Sequence, residues 1–134
     1  MNLLENTQLY RTYGAHPAGQ GWTFRVYAPN ARDAALAGDF NGWQPAPMQR
    51  QGGDWVLAVP DAQPGQCYKY VITGADGQVR WKADPYGTYA QLRPDTASRL
   101  YDVSGFRWHD DVWRERRRET PLTDGPLNIY EVHP

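Results

Sequence analysis

Apolar and polar residues alternate in several short segments of this chain, which is the pattern of β-strands that bury one face. In the first segment, Trp22, Phe24 and Val26 fall on one side of the strand, and Thr23 and Arg25 fall on the other. The predicted strands occupy positions 22–28, 34–38, 54–59, 67–73, 79–82 and 97–103. Turn-forming residues separate them at intervals of roughly 8–14 residues, which predicts an all-β antiparallel sandwich of about seven strands.

Two tryptophans follow predicted turns and are candidates for contact with a ligand. Trp43 comes directly after the polar turn 39–42, and Trp81 follows a hairpin turn that contains an Asp-Gly pair. An exposed indole ring offers a broad apolar face that stacks on the C–H side of a pyranose ring. Alternation places Lys69 on the outer face of its strand, where its ammonium group can donate to sugar hydroxyls. We therefore expect Trp43, Lys69 and Trp81 to bind carbohydrate.

Each of these residues has a purely structural alternative. Trp43 could fold back over the edge of the sheet, Trp81 could pack against a neighbouring domain, and Lys69 could be a plain surface lysine. Trp22 and Trp55 lie on the apolar sides of their strands, and we expect both in the core.

The N-terminal segment, residues 1–20, is predicted to be a lead-in to a β-sandwich that occupies 21–104. A short amphipathic turn of helix is predicted from Leu3, Leu4, Leu9 and Tyr10. The glycine- and proline-containing run 14–19 is predicted to interrupt regular structure before the first strand.

The pattern changes again after Gly105. Acidic residues precede the segment 112–119 and basic residues follow within it, which predicts a helix that complements the helix macrodipole. The segment 127–133 alternates as a strand does, and we expect it to be the first strand of a second domain. Residues 105–134 are thus predicted to be a linker helix and the start of that domain.

Composition excludes several classes of function. The 134 residues carry a net charge of −1, which argues against a nucleic-acid partner, because phosphate binding needs a basic face. The single cysteine, Cys67, cannot form an internal disulfide and is predicted to be a buried or half-buried thiol. The sequence shows neither a secretory signal nor a membrane-spanning stretch, so we expect a cytoplasmic protein without a membrane partner.

Residues suited to metal binding or nucleophilic catalysis are few and scattered. His16, His109 and His133 lack the spacing of metal ligands, and Ser98 and Ser104 lack the setting of an activated nucleophile. Three carboxylates in turns are expected to accept hydrogen bonds from backbone N–H groups: Asp39, Asp84 and Asp95. The sequence therefore predicts no catalytic residue, no metal ion and no cofactor.

Several motifs resemble a known family. The segments 24–31 (FRVYAPNA), 38–43 (GDFNGW) and 68–70 (YKY) resemble carbohydrate-binding module family 48, which precedes the catalytic domain in glycogen branching enzymes and isoamylases. The segments 82–86 (KADPY) and 93–98 (RPDTAS), followed by a final strand-like run that ends in IYEVH, are similar to bacterial glycogen branching enzymes.

The resemblance implies an immunoglobulin-like β-sandwich with a short C-terminal linker helix and the first strand of a missing barrel. It implies a parent enzyme that breaks an α-1,4-glucan link and reforms it as an α-1,6 branch. The catalytic carboxylates of such an enzyme lie on barrel strands beyond Pro134, so this chain alone is not expected to catalyse. The implied partners are α-1,4-glucan oligosaccharides or glycogen and the catalytic domain of the parent.

The resemblance also extends to individual binding residues. The related glycogen-binding module of AMP-activated protein kinase holds sugar with residues whose places are matched here by Trp43, Lys69 and Trp81, and Leu92 and Thr96 are the nearest counterparts of a following loop. The alternative function is an interdomain structural module that packs on the catalytic barrel and has little affinity for sugar.

Overall fold

The structure, a computed structural model, describes residues 8–120, 125–126 and 128–133. The chain divides into two compact units, Met1–Val103 and Ser104–Pro134. Among the described residues, the strands all lie in the first unit, and the second unit contains a short α-helix, α1 (Asp111–Glu119). The predicted all-β fold is therefore confirmed.

Ten strands are found among the described residues of the first unit, 8–103. In chain order they are β1 (Gly14–Ala18), β2 (Gly21–Tyr27), β3 (Asp33–Gly38), β4 (Ala46–Pro47), β5 (Gln49–Gln51), β6 (Asp54–Val59), β7 (Cys67–Thr73), β8 (Val79–Lys82), β9 (Tyr89–Ala90) and β10 (Ser98–Arg99). The first sheet has the order β1-β2-β6-β5, and the second has the order β4-β3-β7-β10-β9, with β8 also paired to β7. Every pairing is antiparallel, as an immunoglobulin-like sandwich requires.

Aromatic side chains from both sheets form the core. The Phe24 ring of β2 meets the Tyr68 ring of β7 edge-on, with 5.1 Å between ring centroids, and this contact joins the two layers. Trp22 and Trp55 are 4% and 5% exposed, so their predicted core positions are confirmed. Complete burial of Phe24 and Leu36 contributes roughly 1.5–3 kcal/mol each to stability.

A buried carboxylate fastens the segment after β8 to the core. Asp84 Oδ2 accepts hydrogen bonds from the hydroxyls of Tyr68, at 2.6 Å, and Tyr70, at 3.2 Å. Its backbone N–H donates to Ser98 Oγ at 2.9 Å, and its Oδ1 accepts from the Tyr86 N–H at 2.8 Å. The predicted backbone contact of Asp84 is therefore present, and two tyrosine hydroxyls add to it.

The same segment also contacts the first sheet. The ring of Tyr86 stacks on that of Tyr13 at 5.5 Å, and its backbone packs against Gly14. Gly14 has a φ of +96°, and a Cβ there would lie 3.1 Å from Tyr86, so both the conformation and the space favour glycine. Residues 83–86 thus tie the edge strand β1 to the core of the second sheet.

The expected interruption at 14–19 is wrong, because residues 14–18 form β1 and pair with β2. An edge strand tolerates Pro17, whose missing N–H is not needed on the free side of the strand. The strands β4, β5 and β9 were not predicted, since two or three residues are too few for alternation to show.

The chain ends differ in part from expectation. The predicted strand 97–103 shortens to Ser98–Arg99. Residues 128–133 do not form a strand, because an extended segment needs a neighbouring strand for its backbone hydrogen bonds. The predicted helix is confirmed as α1, and Leu9 and Tyr10 lie in a 3₁₀ turn. Leu3, Leu4, Pro121 and Leu127 lie outside the described residues. In the described part of the chain, helices long and apolar enough to cross a membrane are absent.

Substitution of Asp84 by asparagine should change how stability depends on pH. Burial raises the pKa of Asp84 above its ordinary value of 3.8, although hydrogen bonds from Tyr68, the Tyr86 N–H and Tyr70 oppose the shift. The folded chain then binds more protons than the unfolded chain above pH 3.8, so the contribution of Asp84 to stability falls as pH rises. The free energy of unfolding of the wild type, relative to Asp84→Asn, should therefore fall from about pH 4 towards neutrality.

Urea denaturation at a series of pH values measures this difference. Asp61→Asn, at an exposed aspartate, is the matched control for the loss of one carboxyl group. A difference between wild type and Asp84→Asn that is constant or rises with pH would contradict the assignment.

Candidate functional site

The outer face of the second sheet carries the predicted lysine and one predicted tryptophan. Tyr68 and Tyr70 face the core, so Lys69 and Val71 of β7 face outward. Val71 is paired with Trp81 of β8, and paired residues lie on the same face of a sheet. Trp81 is 46% exposed, so part of this residue is open to solvent.

Trp43 is half-buried and held in a fixed position. Its indole N–H donates to Asp39 Oδ1 at 2.8 Å, and Asp39 Oδ2 accepts from the backbone N–H of Cys67 at 2.7 Å. The backbone of Trp43 has a φ of +61°, a conformation that is uncommon for a bulky residue. One carboxylate therefore joins Trp43 to the start of β7.

The turn before Trp43 is built by its own side chains. Asn41 Oδ1 accepts from the Gly38 N–H at 2.9 Å, and Asn41 Nδ2 donates to the Leu36 carbonyl at 3.1 Å. Gly42 follows with a φ of +63° and allows the chain to reverse. These contacts explain why the predicted turn 39–42 places Trp43 at the end of β3.

The loop 91–97 approaches the same face. The ammonium group of Lys69 donates to Thr96 Oγ1 at 2.8 Å, which anchors the loop beside β7. Leu92 is 83% exposed at the start of the loop. Burial, and then the negative charge of Asp39, raise the pKa of the Cys67 thiol, and the charge of Asp95 adds to this shift.

Three of the five predicted binding residues, Lys69, Trp81 and Thr96, therefore meet on one face, and Trp43 is tied to the start of β7 through Asp39. Trp43 and Thr96 are each connected to β7 by a hydrogen-bonded side chain, Lys69 belongs to β7, and Trp81 is on the neighbouring strand. Leu92 belongs to the same loop as Thr96, but its side chain makes no described contact with the other four. Their role in sugar binding stays a prediction.

Sequence reasoning missed two further residues on this face. Arg99 of β10 is paired with Cys67 of β7 and with Tyr89 of β9, so all three point outward. The guanidinium carbon of Arg99 lies 5.3 Å from the centroid of the Tyr89 ring, within the range of a cation–π contact. The strands β9 and β10 are only two residues long, so their sequences show no alternation from which the positions of Tyr89 and Arg99 could have been predicted.

A cleft of roughly 710 Å³ opens beside Thr96. Its walls come from residues 83–98, including Tyr89, Arg93 and Asp95. Its volume falls within the range of pockets that bind small molecules. Clusters of three or more possible metal ligands are absent from the described part of the chain.

The fold and this surface define a class of protein. Residues 12–87 match the family model of carbohydrate-binding module 48, the isoamylase N-terminal domain, and the chain belongs to this family. Within it, the chain is similar to 1,4-alpha-glucan branching enzymes named GlgB.

The GlgB of Butyrivibrio fibrisolvens is 43% identical in an alignment of 133 positions that covers 93% of this chain and 21% of that enzyme. The GlgB of Rubrobacter xylanophilus is 45% identical in an alignment of 135 positions that covers 96% of this chain and 19% of that enzyme. The chain thus spans about a fifth of the length of these relatives. The crystal structure of Klebsiella pneumoniae pullulanase complexed with maltotriose has a TM-score of 0.58 and 26% identity, covering 67% of this chain and 9% of that one.

Two substitutions of Trp43 should separate the effect of its backbone conformation on stability from the effect of losing its side chain. Trp43→Gly and Trp43→Ala both remove the indole and its hydrogen bond to Asp39. Glycine adopts a φ of +61° without strain, whereas alanine does not, so the glycine variant should be more stable by about 1 kcal/mol.

Urea denaturation measures both free energies of unfolding. The same two substitutions at Gln44, an exposed residue without a positive φ, form the control, and alanine should be the more stable there. If alanine were also the more stable residue at position 43, the left-handed conformation of Trp43 would be refuted.

Proposed function

We propose that this chain binds α-1,4-glucan through the outer face of the second sheet. The observation that carries the proposal is the exposed Trp81 ring on the same face as Lys69, with Trp43 fixed at the end of the adjacent strand. An aromatic ring buries the C–H side of a glucose unit, and nearby donors and acceptors bind its hydroxyl edge. The proposed binding residues are Trp43, Lys69, Trp81, Leu92 and Thr96.

The polar groups between the rings suit a neutral ligand. Lys69 holds Thr96 Oγ1 with one N–H, which leaves two further N–H donors for sugar hydroxyls. Thr96 accepts this bond and can still donate its own hydroxyl proton. Hydrogen bonds that involve a charged group contribute roughly 1.5–3 kcal/mol, so Lys69 can add markedly to the stacking energy.

We further propose that the chain holds glycogen or maltooligosaccharide for the catalytic domain of a 1,4-alpha-glucan branching enzyme in the cytoplasm. The likeness to GlgB enzymes over more than nine-tenths of this chain supports this role. We place the sandwich module from β1 to residue 104, which extends the expected start at 21 towards the N-terminus. Residues 105–134 are then the linker to the catalytic domain.

The chain itself is proposed to be non-catalytic. Cleavage of a glycosidic bond uses two carboxyl groups that flank the bond. The cleft beside Thr96 has two, Asp84 and Asp95, but Asp84 is buried and both its oxygens accept hydrogen bonds from protein groups. Asp84 is therefore committed to the fold and cannot approach a glucan linkage.

Titration with maltoheptaose tests the binding proposal. The sugar should quench tryptophan fluorescence of the wild type, because it stacks on indole rings. In calorimetric titrations, Trp81→Ala should weaken binding roughly tenfold or more, since it removes a stacking platform. Lys69→Met, which keeps the apolar stem but not the charge, should also weaken binding.

Trp113→Ala is the matched control, because it removes an exposed tryptophan of the second unit. It should leave the affinity within about twofold of the wild-type value, a difference of less than 1 kcal/mol. Absence of a response in the wild type at millimolar sugar would reject glucan binding and favour the interdomain structural module instead.

Incubation of the purified chain with amylose tests the proposed lack of catalysis. Neither new α-1,6 linkages nor new reducing ends should appear, and a branching enzyme of full length serves as the positive control. Activity that persists through repurification, and that Asp95→Asn abolishes, would overturn the non-catalytic role.

A further inference from the structure

The cleft beside Thr96 adjoins the proposed glucan surface through Thr96 itself. Thr96 lines the cleft and also accepts the hydrogen bond from Lys69. Ala83 lines the cleft and follows Trp81 by two residues along the chain. A ligand that contacts Lys69 therefore lies beside a residue of the cleft wall.

The interior of the cleft combines small apolar walls with a few polar groups. Small residues in the lining leave room for a bulky ligand: Ala83, Gly87, Ala90, Pro94 and Ala97. Such a mixture of apolar lining and few polar groups is typical of pockets that bind small organic molecules.

Two charged side chains in the cleft are free to bind a ligand. Arg93 and Asp95 both line it and are exposed, and neither side chain has a hydrogen bond or ion pair with another described residue. A carboxylate and a guanidinium group can each bind a pair of neighbouring hydroxyls through charge-assisted hydrogen bonds. Tyr89 adds an aromatic ring to the same cleft, and it is 48% exposed.

The charges identify the chemical class of the ligand. Arg93 and Asp95 carry opposite charges, and the other carboxyl group of the lining, Asp84, is buried with both oxygens hydrogen-bonded, so the exposed groups do not select for an anion such as a phosphate or for a cation. A neutral chain with many hydroxyl groups satisfies both side chains at once. Glucose units of the glucan already held on the outer face fit this description.

We propose that this cleft is a second glucan subsite, in which Arg93, Asp95 and Tyr89 bind glucose units beyond those held at Trp81 and Lys69. This inference rests on the proposed glucan binding. The loop 83–98 then determines which length of glucan the chain prefers. Short oligosaccharides occupy the tryptophan surface, and longer ones also enter the cleft.

Calorimetric titration of maltotriose and maltoheptaose tests the subsite. The wild type should bind maltoheptaose more tightly than maltotriose. The double variant Arg93→Ala/Asp95→Ala should lose roughly tenfold or more in affinity for maltoheptaose, because it removes charge-assisted hydrogen bonds. Its affinity for maltotriose should stay within about twofold of the wild-type value.

The control is Arg32→Ala/Asp61→Ala, which removes an exposed arginine and an exposed aspartate outside the cleft and should leave both affinities unchanged. Thermal unfolding of each variant shows that the fold is retained. Tyr89→Phe, which keeps the ring, should weaken maltoheptaose binding less than the double variant does.

Two results would overturn the subsite while glucan binding stands. One is equal affinity of the wild type for the two sugars, and the other is a double variant whose two affinities fall by the same factor or not at all. If the wild type binds neither sugar, the proposed function itself fails, and the subsite fails with it.

Discussion

The buried carboxylate of Asp84 is the interaction on which both the sandwich and its candidate site depend. Two tyrosine hydroxyls from β7 converge on one oxygen, at 2.6 and 3.2 Å, and the other oxygen holds the backbone of Tyr86. A buried carboxylate is unfavourable unless hydrogen bonds satisfy it, and here the core itself supplies them. The chain is thereby fixed just after β8, where it must turn back towards β10.

This anchor connects the interior to the outer surface. Residues 83–98 leave β8 next to Trp81, pass the buried aspartate, and return with Thr96 beside Lys69. The pleat of β7 keeps the two environments apart, because its tyrosines point inward and its lysine points outward. A rigid interior therefore supports a surface that is open to a ligand, which is the arrangement that binding sites need.

Local pattern was enough to predict the long strands and the buried tryptophans. Strands of six or seven residues show alternation clearly, and Trp22 and Trp55 lie on their apolar sides. The edge strand β1 was missed because Gly14 and Pro17, taken by local sequence alone, predict a break in regular structure. Pairing with β2 overrides that preference. The two- and three-residue strands form only because they pair with neighbouring strands.

The candidate site was predictable to the extent that each residue lay in a recognisable local setting. Trp43 follows a turn, and Lys69 and Trp81 occupy outward positions of regular strands. The cleft was not predictable, because its walls meet only after β9 and β10 pair across the sheet. The left-handed backbone of Trp43 was also hidden, since it results from hydrogen bonds around the turn and not from the preference of tryptophan.

The carboxylate of Asp39 receives two N–H donors from different directions, one from an indole and one from a backbone amide. An isosteric amide side chain could satisfy only one of them, because its NH₂ group would face the other donor. Position 39 is therefore chemically restricted to an acceptor on both sides. Replacement of this aspartate by asparagine would break the link between the Trp43 indole and the start of β7, because only one of the two hydrogen bonds could form.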